Sequence, residues 1–282
     1  MDRIKVTKMQ GCGNDFAIVD YEEYIKTGLE LSEFAKKICD RHFGIGADGL
    51  IIPDTKPNGE TDIGWYFYNS DGSTAQMCGN GMRCFAKYVT DKGLINKRTF
   101  SVKTGAGIIK PEILDNGNIK VNMSEPILNP EKIPFKKTNA LNQKLSANEK
   151  EFIVNAVSMG NPHCVIFTEE DVYKMAKEYG PYIESHELYP EKTNVEFVKI
   201  KSRNEIDFCV YERGCGITLA CGTGACASVV AGVLNNLTDK IVKVNLLGGV
   251  VTIDWSKHQS GEKEDIFLIG PATYVYNAEY II

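Results

Sequence analysis

The chain has 282 residues, 43% hydrophobic and 24% charged, a composition that suits two domains of ordinary size and excludes a largely disordered chain. Thirty-two Lys and Arg against 37 Asp and Glu leave a net charge of −5, which offers no broad basic surface and argues against nucleic acid as a partner. No stretch is apolar enough to span a bilayer or to act as a signal peptide, so a cytoplasmic protein without membrane contact is expected, its nine cysteines reduced.

In chain order, Gly13-Asn14 leads into Ile18-Val19, and Leu31, Phe34, Ala35 and Ile38 follow at the spacing of a helix with one buried face. Ile63, Trp65 and Phe67 alternate as a strand does. Tyr68-Asn69 then precedes Cys78-Gly79-Asn80-Gly81, after which Met82, Phe85, Ala86 and Val89 predict a helix closed by Gly93. Residues 102–107 form a β-like run ending in glycines, and Asp115-Asn116-Gly117-Asn118 between 108–114 and 119–123 predicts a hairpin. Residues 129–150 are polar and lysine-rich with two prolines, which suggests a variable connection or a surface excursion.

The second half repeats this order. Gly160-Asn161 precedes Val165-Ile166, with His163 at the head of the strand-like run 164–167, and Val172, Met175, Ala176 and Tyr179 form a second helical stripe. Tyr211-Glu212 precedes Cys221-Gly222-Thr223-Gly224 at the same interval as in the first half, offset by 143 residues. A helix pattern through Ala225, Ser228, Val229, Gly232 and Val233 follows, and 244–249 ends in glycines as 102–107 does. Four echoes in one order predict an α/β chain of two pseudo-symmetric tandem domains, 1–124 and 125–269. The apolar tail is expected to return to the first domain as a closing strand over 270–282.

Each Cys-Gly turn sits at a helix start, where roughly half a positive charge favours a thiolate and also favours a bound carboxylate. The glycines remove the Cβ atoms that would keep a ligand from the amide N–H groups. Two such turns facing one carbon suit racemisation, which removes a proton from one face and returns one to the other. A single cysteine beside glycine reads more simply as a small buried hydrophobe, but duplication favours function. Zinc prefers closer pairs than Cys78/Cys84 and Cys221/Cys226 offer, and no CxxC pair supports a dithiol redox centre. A metal-binding or thiol redox protein stays open as a different class of reading.

Gly11-Cys12-Gly13-Asn14-Asp15-Phe16, Met77 through Cys84, Gly160-Asn161-Pro162-His163 and Glu212-Arg213-Gly214 through Ala220-Cys221-Gly222-Thr223-Gly224-Ala225 resemble the diaminopimelate epimerase family over nearly the whole chain. The resemblance implies two α/β domains, each a curved, mostly antiparallel sheet around a central helix, with the active site in the cleft between them. It implies interconversion of LL- and meso-diaminopimelate, on the route to lysine and peptidoglycan, with no pyridoxal phosphate, metal or nucleotide, and a homodimer in many members. By similarity Cys78 and Cys221 are the two catalytic acid/base residues. Asn14, Asn69, Gly79, Asn80, Gly81, Asn161, Asn194, Glu212, Arg213, Gly222 and Thr223 bind substrate, and His163 and Glu212 adjust the cysteine pKa values.

Two features depart from the family pattern. Gly49 stands where some members carry a substrate-contacting glutamine, and Cys215-Gly216-Ile217-Thr218 lacks the acidic residue common before the threonine. Cys12, Cys39, Cys84, Cys164, Cys209, Cys215 and Cys226 are taken as structural. A proline or hydroxyproline racemase is the alternative on the same fold.

Overall fold

The computed structural model describes residues 2–57, 59, 61–74, 76–260 and 263–282. Two compact units emerge, one of residues 1–121 with 270–282, the other of 122–269. The first contains, in order, β1 (Arg3–Gly11), β2 (Asn14–Ile18), α1 (Tyr21–Ile25), α2 (Leu31–Cys39), β3 (Gly49–Asp54), β4 (Ile63–Asn69), α3 (Gly79–Asp91), β5 (Val102–Thr104), β6 (Gly107–Ile109), β7 (Glu112–Ile113) and β8 (Ile119–Asn122). The second contains β9 (Gln143–Ala147), β10 (Lys150–Ser158), β11 (Pro162–Phe167), α4 (Val172–Glu184), β12 (Asn194–Ser202), β13 (Glu205–Glu212), β14 (Gly216–Ile217), α5 (Gly222–Leu234), β15 (Ile241–Leu246), β16 (Gly249–Asp254) and β17 (Phe267–Gly270). The last strand, β18 (Thr273–Ile281), lies antiparallel to β1 in the first unit. Among the described residues no helix is long and apolar enough to cross a membrane.

Both sheets are mixed, and their parallel pairs explain the echoes in the sequence. The first runs β18-β1-β2-β3-β4-β5-β6, with β2/β3 and β4/β5 parallel. Within the second unit the order is β17-β16-β15-β13-β12-β11-β10-β9, with β11/β12 and β13/β15 parallel. A parallel pair needs a crossover connection, commonly a helix. In each unit one amphipathic helix makes the first crossover, α2 or α4, and one cysteine-led helix makes the second, α3 or α5.

The helices divide the work of burial. Phe34, Ala35 and Ile38 of α2 pack with Ile4, Val6, Leu50 and Ile52, while Met175, Ala176 and Ile183 of α4 pack with Val195, Phe197 and Cys209. Complete burial of a phenyl group such as Phe34 contributes roughly 2 kcal/mol. By contrast α5 is buried from Gly224 to Gly232, the pattern of a helix enclosed on every side. Its counterpart α3 buries Met82, Cys84, Phe85, Ala86 and Val89 and ends on Gly93 at φ 70°, a left-handed closure that glycine adopts without strain.

Two local expectations change. The run 108–114 is interrupted at Pro111, which has no N–H to give a ladder, so β6 pairs with β5 while β7 pairs with β8 across the Asp115–Asn118 turn. Residues 129–150 are more than a surface excursion: most are exposed, but Ile133, Phe135, Ala140, Leu145 and Ala147 are buried in the second unit's core. Their apolar side chains are sparse in sequence but converge once β9 pairs with β10.

A charged cluster underlies the β1–β2 turn. Lys8, almost wholly buried, meets Asp15 Oδ2 at 2.7 Å and donates to the Gly46 carbonyl, while Arg41 bridges Asp15 at 2.9 Å and Asp48 at 2.7 Å. Burial alone would raise the Asp15 carboxyl, but hydrogen bonds and charges from Arg41 and Lys8 outweigh it and hold the group at about 2, below its ordinary 3.8. Because the folded value is the lower one, this stabilisation is fully present above pH 3.8 and is lost as pH falls through about 2. Asp15→Asn should therefore destabilise the protein to urea at neutral pH, by about 3 kcal/mol for a broken buried pair. The difference from wild type should close as both proteins are titrated through that window; a gap that persists at its acid end would contradict the assignment.

Candidate active site

In the first unit Cys78 is the N-cap of α3, extended at φ −142° and ψ 119°, and its sulfur accepts from the Gly81 N–H at 3.4 Å. A serine oxygen usually caps a helix this way. The thiol also lies 3.6 Å from Asn14 Oδ1, which accepts from Asn80 Nδ2 at 3.3 Å. Asn14 is fixed from behind by its own Nδ2, which donates to Asp48 Oδ2 at 2.7 Å. Asn80 is fixed by Arg83, a buried guanidinium that donates to Asn80 Oδ1 at 2.8 Å and to the Pro271 carbonyl at 2.9 Å. Among the described residues no carboxylate pairs with Arg83, so a buried cation lies one helical turn behind Asn80. Asn69 belongs to a neighbouring turn, where its Nδ2 donates to Ser73 Oγ at 3.0 Å.

In the second unit Cys221 caps α5 in the same manner, at φ −124° and ψ 107°, with the Gly224 N–H donating to sulfur at 3.3 Å. From there a chain of contacts runs through four more side chains. Cys221 Sγ is 3.4 Å from Thr223 Oγ1, which accepts from Asn161 Nδ2 at 3.5 Å. Asn161 Oδ1 is 3.0 Å from His163 Nε2, and His163 Nδ1 is 2.7 Å from Glu196 Oε1.

Gly224 is required by this packing, since a Cβ there would stand 2.8 Å from Glu196 Oε1 and 3.2 Å from the Cys221 sulfur. Gly49 has an equally steric reason: its Cβ would meet the Tyr68 carbonyl at 2.8 Å and Phe67 Cε2 at 2.9 Å, so no larger residue fits that backbone.

Glu212 accepts a hydrogen bond from the Thr218 hydroxyl. Asn194 is buried, donating to the Pro162 carbonyl at 2.9 Å and accepting from the Arg213 N–H at 3.0 Å. The Arg213 side chain is exposed and donates to the Glu191 carbonyl at 3.1 Å. Thus Asn194 sets the backbone from which Arg213 projects.

Electrostatics modify the simple helix-end expectation. Burial first, and then the neighbouring Glu212 carboxylate, push the Cys221 thiol well above its ordinary value, outweighing the Thr223 hydroxyl and the Gly224 N–H. The free protein therefore holds Cys221 as a thiol. Burial likewise raises the Glu212 carboxyl against the opposing Thr218 hydrogen bond.

Arg83 and Asp48 brace the Cys78 turn in the first unit and Glu196 braces the Cys221 turn in the second, and the sequence reading assigned none of them a role. Arg83 could have been found as the i+3 neighbour of Asn80 on one helix face; Asp48 and Glu196 reach the site only through tertiary pairing.

The family described as Diaminopimelate epimerase matches residues 6–128 and 155–275. A diaminopimelate epimerase of Halothermothrix orenii is 45% identical over 287 residues, covering 99% of this chain and 98% of its own. That of Carboxydothermus hydrogenoformans is 46% identical over 277 residues, covering 98% of each. Among solved structures, a phenazine biosynthesis protein of the PhzF family from Bacillus anthracis superposes with a TM-score of 0.73 at 17% identity, covering 100% of both chains. A hydroxyproline epimerase of Agrobacterium vitis superposes with a TM-score of 0.69 at 11% identity, covering 98% of this chain and 92% of that one. These distant likenesses share the two-unit epimerase fold, whereas end-to-end identity together with both cysteine-capped helices goes further: the chain belongs to the diaminopimelate epimerase family.

Proposed function

We propose that the protein inverts one α-carbon of LL-2,6-diaminopimelate to give the meso isomer in the cytoplasm, using Cys78 and Cys221 as paired proton carriers and no organic cofactor. The observation that carries this reading is the repeated construction itself: twice, a thiol caps a helix whose first turn keeps amide N–H groups for an anion. Helix geometry leaves the first N–H groups without an intrahelical acceptor. The third of each helix is given to the cap sulfur, which leaves those of Gly79 and Asn80, and of Gly222 and Thr223, for a bound carboxylate.

The reaction then balances without an oxidant. A thiolate takes the α-proton, the electron pair moves onto the substrate carboxylate as an enediolate, and the opposite thiol returns a proton to the other face. Each preorganised N–H aimed at that charge supplies about 3 kcal/mol. Cys221, held as a thiol by burial and the Glu212 carboxylate, is the donor in the first direction, and Cys78 is then the base. After one turnover the two have exchanged protons and are set for the reverse direction.

Arg213, exposed beside the Asn194 turn, is the group for the distal carboxylate, which it can hold through paired N–H donors. Asn14, Asn69, Asn161 and Glu212 serve the remaining polar ends of the substrate, and His163 acts with Glu212 on the thiols. In deuterated water, either stereoisomer should take up α-deuterium as it inverts. No deuterium and unchanged configuration would reject the assignment. Arg213→Ala should raise KM for diaminopimelate; strong turnover of proline or hydroxyproline, indifferent to that change, would favour the racemase alternative.

The edge of the first sheet supports a homodimer. Among the described residues β18 pairs only with β1, and it exposes Val275 and Ile281 at 52% and 54%, with Tyr274 and Tyr276 beside them. An apolar edge strand of this kind is covered in most proteins. Sedimentation should give a dimer for the wild type and a monomer for Val275→Lys; a monomeric wild type would contradict the proposal.

A further inference from the structure

Beneath the Cys221 turn lies a carboxyl group that the proposed reaction does not use. Glu196 and His163 are both completely buried and meet at 2.7 Å, Oε1 to Nδ1, while Glu196 Oε2 is buried with no hydrogen-bond partner among the described residues. The orientation of Asn161 settles half of the proton placement. Its Nδ2 points to Thr223 and its Oδ1 to His163 Nε2, so Nε2 must carry a proton to donate. The other half is a choice between an imidazolium facing a carboxylate and a neutral imidazole accepting from a carboxylic acid.

The surroundings favour the neutral pair. An ionised Glu196 would leave a negative oxygen bare in a dry interior, which costs more than an unpaired carbonyl-like oxygen. The groups that interact with it are themselves acidic: Glu212 on β13, Cys221 at the start of α5, Cys164 on β11, and Tyr189. His163 is the one base among them. Burial raises the Glu196 carboxyl; the His163 contact and then the amides of Glu196 and Cys164 pull the other way without outweighing it, and none of them closes a hydrogen bond on Oε2.

We propose that Glu196 is a positioning residue held as a neutral carboxylic acid, donating its proton to His163 Nδ1 and so locking His163 in the Nε2–H form that orients Asn161. The amide NH2 of Asn161 is then turned toward Thr223 and the thiol turn, ready to donate to a substrate carboxylate. No second anion joins Glu212 beside Cys221. This inference rests on the reading of Asn161 and His163 as site residues.

The test reads the proton directly. In protein labelled with 15N-histidine at neutral pH, the His163 ring, identified among the four histidines by its loss in His163→Gln, should show the neutral Nε2–H tautomer. Glu196→Gln retains an N–H donor for Nδ1 and should keep that tautomer and most of kcat. Glu196→Met removes the donor; it should release a tautomer mixture and lower kcat by about 100-fold, the size of loss that misplacement of a site group brings. An imidazolium signal in the wild type, or a Gln variant as impaired as the Met variant, would overturn the proposal. The spectra need no turnover, so a wild type that shows the locked tautomer but does not invert diaminopimelate would refute the assigned reaction and leave the role of Glu196 standing.

Discussion

Replacing Cys78 or Cys221 by alanine is expected to abolish inversion, with kcat falling by at least the roughly 100-fold to 10,000-fold that a general acid or base supplies. The two losses should be alike in size, because inversion needs both proton transfers and either missing carrier stops it. They should differ in what remains. With Cys221 absent, the Cys78 thiolate can still remove a proton from the stereoisomer that faces it, exchange it with solvent and return it to the same side. With Cys78 absent the complementary stereoisomer should behave so. Any residual deuterium uptake therefore keeps the starting configuration and has opposite stereoisomer preference in the two variants. Chiral chromatography with mass spectrometry of α-deuterium checks both points, and near-normal inversion by either variant would end the two-carrier account.

Gly224→Ala should be nearly as damaging although it removes no functional group. The added methyl carbon would lie 2.8 Å from Glu196 Oε1 and 3.2 Å from both Cys221 Sγ and Phe208 Cζ. None of these neighbours can withdraw freely: Glu196 is held by His163, the sulfur by the helix cap, and the phenyl ring is buried. The overpacked core should lose about 1 to 3 kcal/mol of stability. Displacement of the thiol by a fraction of an ångström to an ångström should lower kcat by about 100-fold. Thermal unfolding and steady-state kinetics measured on one preparation separate these effects. A folded Gly224→Ala enzyme with wild-type kcat would show that the sulfur does not need the position that the glycine secures.

What the sequence made legible was the local chemistry. Both cysteine turns, the helices they open and the two amphipathic stripes were readable because each is a short pattern with a fixed period, and the duplication made each copy evidence for the other. Pro111 was equally local, yet the apolar run around it hid the break between β6 and β7. The segment 129–150 misled because lysines and prolines dominate its composition, while its five buried side chains gain a shared core only through the β9–β10 pairing. Residues that hold the site in place were harder still. Asp48 reaches Asn14 through the parallel pairing of β2 with β3, and Glu196 reaches His163 through that of β11 with β12. No spacing in the chain announces such contacts, since the strands involved are separated by a helix.

The most direct test of the central claim is a crystal structure of the protein with a non-reacting diaminopimelate analogue bound. The account predicts both sulfur atoms, Cys78 and Cys221, about 3.5 Å from a single α-carbon, the separation of groups poised to react, on opposite faces and with the carboxylate on the helix N–H groups. An analogue held with only one of the two sulfurs near its α-carbon, or with both on the same face, would contradict it.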